Sequence, residues 1–280
     1  MKTILFMAFP THLGCITKPS SVNFKRFWSY AVLISLIFSS ALATQSAFAF
    51  MGAAVKLLGK VEHALPEEGI VKLTSQIAQS GISKVGQVLE TAGLSRTALE
   101  DAYLRIAVNQ SKLEKTEAEH MFHNLTGVDG FKETIRKVVG INANQTKGHL
   151  QELRIANHAK EQGLEVVSIG QKFDDGIKKQ LTDMDVILKK DKNTFLIQSK
   201  HYESPSSYNP VKLQGDADSL LQYKQTSCNK DCIPVFFFTN EPPANVSALL
   251  TKTKPDVHLI VGDAESQVIQ LKILAKELTK

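Results

Sequence analysis

Thr182-Asp183-Met184-Asp185-Val186-Ile187-Leu188, then Thr194-Phe195-Leu196-Ile197-Gln198-Ser199-Lys200: on these two stretches the reading of the fold turns. Each is an apolar run rich in β-branched and aromatic residues, which marks a strand. Each also carries polar side chains where a buried strand should be clean. Lys190-Asp191-Lys192-Asn193 between them is turn-like, so the two strands read as a hairpin. Strand alternation puts Asp183 and Asp185 on one face of the first strand, and Gln198 and Lys200 on one face of the second. Paired as a hairpin, Asp185, Gln198 and Lys200 converge.

Working outward, Thr146–Gln162 reads as a helix stopped by Gly163, with Glu152 early on it. Further strands are expected at Val166–Ile169, Ile233–Thr239 and Val257–Val261. Helices are expected at Val211–Gln225, Val246–Lys252 and Ser266–Leu278. The order is α-β-β-β-α-β-α-β-α. Short turns join the first three strands into a meander, while helical crossovers bring in the later ones. The fold class is therefore α/β, with a mixed sheet flanked by helices. Residues 51–125 read as helix, interrupted by Pro66-Glu67-Glu68-Gly69 and weakened by Gly81, Gly86 and Gly93. Thr97-x-x-Glu100 matches a capping box and opens a long amphipathic helix through Leu99, Tyr103, Ile106 and Ala107, extending toward Phe122. The chain thus divides into 1–49, a leader; 50–139, a smaller all-α domain; and 140–280, the α/β domain.

A helix Glu, a strand Asp and a Gln-x-Lys on the next strand suit one task in particular. Oxygen ligands from Glu152, Asp185 and the Gln198 amide form a site for a hard divalent cation, Mg²⁺ or Mn²⁺. Lys200 lies where it can neutralise charge developing on a transferring phosphoryl group. A bland alternative is a solvated strand face with Lys200 paired to Asp185. In its order and motifs, the segment 146–262 resembles the PD-(D/E)XK phosphodiesterase superfamily, the restriction-endonuclease-like fold with its αβββαβ core. Phe195-Leu196-Ile197-Gln198-Ser199-Lys200-His201-Tyr202 is similar to the Gln-x-Lys variant of Mrr-type restriction endonucleases. The resemblance implies that Asp185 and Gln198 bind metal, that Lys200 is catalytic and that Glu152 is an additional ligand. Met184 stands where that family has Pro.

The chain has 280 residues, 43% of them hydrophobic and 22% charged, which excludes a disordered chain. Of 33 basic and 28 acidic residues, four basic ones (Lys2, Lys18, Lys25, Arg26) and no acid fall in residues 1–49. The rest of the chain is nearly neutral, so its overall charge is no argument for nucleic acid. Lys25-Arg26, the apolar run Phe27–Phe38 and the small residues ending at Ala47-Phe48-Ala49 have the layout of a secretory signal peptide. An uncleaved membrane anchor is the alternative, although the strongly apolar part is short for a span. Of three cysteines, Cys228 and Cys232 remain after cleavage; an exported protein can oxidise them, but so short a spacing can also forbid a disulfide.

Other features have ordinary explanations. Gly81–Ile106 has a faint helix-turn-helix look, but Glu100 and Asp101 would repel phosphate. His120 and His123, near Glu117 and Glu119, have a spacing that can hold a metal, though a solvated helix face accounts for it too. The expectation is an exported, secreted or periplasmic metal-dependent nuclease, with DNA the first-choice substrate and RNA the second. It would touch the membrane only transiently, through the leader, and as a toxin it would need a cognate inhibitor protein. A catalytically inactive nuclease-fold module binding nucleic acid or protein, and a membrane-tethered helical adaptor, are the competing readings.

Overall fold

The computed structural model describes Glu90 and residues 94–278, apart from 141–142, 175, 177–180, 203 and 229–230. All of them belong to the unit Phe50–Lys280. The expected leader and the expected helices between 51 and 89 lie outside the described residues.

Three helices come first: α1 (Arg96–Asn109), α2 (Lys115–Leu125) and α3 (Phe131–Val139). The N-cap is Ser95 and not the expected Thr97, the Ser95 side chain accepting the Ala98 N–H at 3.2 Å. Glu100 is instead fully buried, meets Arg96 Nε at 3.0 Å and accepts the Gly127 N–H at 3.3 Å. The single long helix expected toward Phe122 is two helices. Ser111 sits at a left-handed φ of 55°, and Lys112 turns away to donate to the carbonyls of Val138 and Gly140 at 2.7 and 2.9 Å. It thereby satisfies open carbonyls at the end of α3.

Then follow α4 (Ala143–Glu161), β1 (Glu165–Phe173), β2 (Thr182–Lys190), β3 (Asn193–Lys200), α5 (Pro210–Tyr223), β4 (Cys232–Phe238), α6 (Ala244–Thr253), β5 (His258–Val261) and α7 (Ala264–Glu277). This reproduces the expected order. The five strands lie side by side in chain order. β1, β2 and β3 pair antiparallel, and β3–β4 and β4–β5 pair parallel. The parallel half arises because α5 and α6 return the chain to the same edge between strands.

Each face of the sheet carries its own helical layer. Val186, Leu188, Phe195, Ile197, Val235 and Phe237 share one core with apolar residues of α1–α4 and α7. Ile187, Leu196, Phe236 and Phe238 share the other with Leu213, Ala217 and Leu220 of α5 and with α6. β4 feeds both faces with its consecutive phenylalanines, so it reads as an unbroken apolar run rather than an alternation. Helices α1–α3 contribute Tyr103, Met121, Leu125, Phe131 and Ile135 to the same continuous core as α4 and the sheet. The residues on either side of position 139 are therefore packed as one body. Among the described residues, no helix is long and apolar enough to cross a membrane.

Candidate active site

The β2–β3 ladder runs from Lys190↔Asn193 to Val186↔Ile197. Beyond it Asp185 comes opposite Gln198. The Asp185 carboxylate occupies the position where a further rung would lie. Its Oδ2 accepts the backbone N–H of Ser199 at 2.7 Å and the Gln198 Nε2–H at 2.8 Å. β3 meanwhile continues alongside β4 as far as Lys200↔Phe238. The ladder between β2 and β3 thus ends where their polar residues sit, while β3 stays paired with β4.

Both Asp185 and Gln198 are buried, as is Glu152 of α4. Burial is the main reason the Asp185 carboxyl is pushed up, to about 8. The negative charge of Glu152 adds to the push, while the Lys200 ammonium and the Ser199 N–H oppose it. Glu152 itself is met by His149, one turn earlier on α4, whose Nδ1 lies 3.0 Å from one carboxylate oxygen and 3.2 Å from the other.

Lys200 does not pair with Asp185, as the solvated-face alternative would have it. Its Nζ is 2.8 Å from Asp216 Oδ2 of α5 and lies 5.9 Å from the centre of the Phe236 ring. Both ends of this ion pair are about nine-tenths buried. Burial alone would depress the lysine, but Asp185 and Asp216 outweigh it, so the ammonium form is held above its ordinary range.

Asp216 was not among the residues expected from the sequence. The signal was there in weak form: Leu213, Ala217 and Leu220 form the core stripe of α5, and Asp216 borders that stripe where a solvated face would keep its charge away. Only the packing of α5 on β3 shows that it meets the lysine. Asp183, expected on the same face as Asp185, lies 3.8 Å from Lys137 of α3.

The rim of the site is aromatic and hydrogen-bonded. Tyr202 packs on Tyr208 with ring centres 4.5 Å apart. The Tyr208 hydroxyl donates to the Asn240 carbonyl at 2.6 Å, and Asn240 Nδ2 donates to the Tyr202 carbonyl at 2.7 Å. His201 Nδ1 lies 3.1 Å from Thr239 Oγ1. These contacts fasten the segments leaving β3 and β4 to one another. Gln214 of α5 reaches Thr253 of α6 at 3.5 Å. Gln171 accepts from Ser168 Oγ at 2.9 Å.

Among the described residues, no three His, Cys, Asp or Glu side chains come together as a ready-made metal cage. This covers the His120 and His123 reading: His120 lies 3.3 Å from Glu161 of α4 and Glu117 binds Arg154 at 2.6 Å, which are contacts between helices. The donors at the hairpin mouth are the Asp185 carboxylate and the Gln198 amide, with the Glu152 carboxylate in electrostatic reach. They fit a hard dication in one respect that can be read from the charges: burial and Glu152 raise Asp185 by more than Lys200 and the Ser199 N–H lower it, and a cation there would offset the difference.

Cys228 and Cys232 form a disulfide with 5.5 Å between their Cα atoms. The short spacing is bridged because α5 ends in a π-helical turn, Lys224–Cys228, which swings Cys228 toward the first residue of β4.

Comparison with models of protein families, with curated proteins and with solved structures finds no match for this chain.

Proposed function

We propose that the protein is a metal-dependent nuclease that hydrolyses phosphodiester bonds, with DNA the preferred polymer, and that its α/β body is a restriction-endonuclease-like fold. One observation carries the reading: Asp185 and Gln198 meet at the open end of the β2–β3 hairpin, with Lys200 beside them and Glu152 in electrostatic reach. The signal-like layout of residues 23–49 supports export, to the periplasm or the medium, where the enzyme would act on foreign nucleic acid or as a toxin with a cognate inhibitor.

Asp185, Glu152 and the Gln198 amide oxygen would hold Mg²⁺ or Mn²⁺. When bound, such a cation polarises the scissile phosphate and offsets the charge of the transferring phosphoryl group. Gln198 presents nitrogen or oxygen to a neighbour by rotating its amide, so the group that now donates to Asp185 can also serve as an oxygen donor. The Ser199 N–H orients Asp185 in either state, because it is fixed by the β3 backbone. Lys200 supplies a cation that no metal has to bring. Its ammonium can neutralise a phosphate oxygen as negative charge grows there. His149 orients Glu152 from the same helix.

A second reading has an observation of its own. Asp185 is already satisfied by two N–H donors and raised toward neutrality, which also suits a nuclease-fold module that binds nucleic acid or protein without cutting. One assay separates the two. The full chain is offered plasmid, linear duplex, single-stranded DNA and total RNA with Mg²⁺, Mn²⁺ or EDTA. Metal-dependent cutting that falls by at least about a hundredfold in Asp185→Ala and in Lys200→Ala is expected. Folded protein that cuts no substrate with either metal would favour the binding module.

A further inference from the structure

Within the proposed active site, Lys200 has two acids to choose from. Lys200 lies within electrostatic reach of Asp185, yet its ammonium sits at 2.8 Å on Asp216. Asp185 is served instead by neutral donors, the Ser199 N–H and the Gln198 amide. The arrangement therefore keeps the lysine's full charge off the carboxylate that would have to bind a cation.

We infer that Asp216 is a positioning residue that holds Lys200 away from Asp185, so that Asp185 stays open to a divalent cation. The reason is competition. An ammonium that forms a direct ion pair with a buried carboxylate occupies the oxygen and the field that a cation needs, and burial makes such a pair persistent. Strand geometry makes the hazard real: Gln198 and Lys200 are two residues apart on β3, and Asp185 lies across from Gln198. A flexible four-carbon arm can swing between two acids at that range. α5 prevents it by presenting Asp216 as a counter-ion 2.8 Å from the ammonium, and Leu213, Ala217 and Leu220 fix α5 against the sheet. Phe236 beneath the ammonium favours the same placement.

This rests on the proposed metal-dependent reading, and its test is chosen to separate the two. Mn²⁺ affinity of the full chain is measured by calorimetry for wild type, D216N, K200M and the K200M/D216N double variant, with circular dichroism as the check on folding. D216N is expected to weaken Mn²⁺ binding about tenfold or more, because the freed ammonium turns to Asp185. In the K200M background the same substitution is expected to change affinity by less than about threefold, since no ammonium remains to be displaced. If Asp216 acts only through its own negative charge, its removal weakens binding equally with and without Lys200, and the inference is overturned. An unchanged D216N affinity overturns it too, while wild-type binding and cutting leave the nuclease reading standing. Wild-type protein that binds no Mn²⁺ sinks both. Should D216N fail to fold, Asp216→Ser, which leaves room for water at the lysine, takes its place in the cycle.

Discussion

Asp185 is where the charge balance of this protein is least comfortable. A carboxyl raised from its ordinary range to about 8 is protonated in the folded chain over a span in which the unfolded chain has already ionised it. Its contribution to stability is therefore fully present below about pH 4 and is lost as pH rises toward 8. Asp185→Asn removes that loss while keeping an oxygen for the Ser199 N–H. In the absence of metal, the variant is expected to be more stable than wild type at pH 8, by a few kcal/mol at most, and about equal to it at pH 4. Urea titrations at the two pH values check this; a wild-type advantage at pH 8 would contradict it. Divalent metal competes with the same proton. Mn²⁺ should raise the melting temperature of the wild-type chain at pH 8 and much less at pH 5, and should leave Asp185→Asn nearly unmoved. Thermal scans at both pH values report it.

At this scale Asp185, Gln198 and Lys200 were legible in the sequence as polar residues interrupting apolar strands, with Gln198 and Lys200 spaced by two on one of them. Glu152 was legible only as an acid early on a helix. Asp216 was not, because nothing in the helix period says which strand residue lies beneath it.

The elements meet at a few positions where backbone packs on backbone, and Gly130 is the tightest. It precedes α3 with φ of 81°, and a Cβ built on it would lie 1.6 Å from the Ile169 carbonyl oxygen of β1. The neighbouring Asp129 carbonyl accepts the Ile169 N–H at 2.8 Å, which brings the loop onto the strand. Gly130→Ala therefore meets both a left-handed backbone and an occupied space, and is expected to cost about 2–4 kcal/mol. Gly163→Ala, which also has a positive φ but open space around it, should cost less, about 1–2 kcal/mol. Chemical denaturation of the two variants side by side separates the terms. The strands were readable in advance because their apolar runs are long and β-branched. The break between α1 and α2 was not, since Asn109-Gln110-Ser111 has no proline or glycine to announce it. It exists because Lys112 finds the carbonyls at the end of α3, a partner 26 and 28 residues away.

For the molecule as a whole, the helices before position 140 are part of the α/β body. Met121, Leu125, Phe131 and Ile135 share a core with Leu153, Ile155 and Ala159 of α4 and with Ile169 of β1. Polar contacts cross the same seam, from Arg154 to Glu117 at 2.6 Å and from Asn124 to Asn157 at 2.9 Å. A fragment of residues 140–280 alone would leave that apolar face in water. It is expected to lose near-ultraviolet dichroism and to bind a hydrophobic dye, while the chain with residues 96–139 retained does not. A cooperative melt of the short fragment would show that the helices are dispensable. What residue order determined unaided was the local part: the succession of helices and strands from position 146 onward, the mixed sheet, and the meeting of Asp185 with Gln198. These follow from periods of two and of 3.6 residues and from turn lengths, all of which act over a few neighbours. Tertiary structure alone decided that α1–α3 join the core, that Glu100 is buried under Arg96, and that Lys200 rests on Asp216. Each of these depends on which surfaces meet across dozens of residues, and burial, which sets both packing and charge, exists only once they have met.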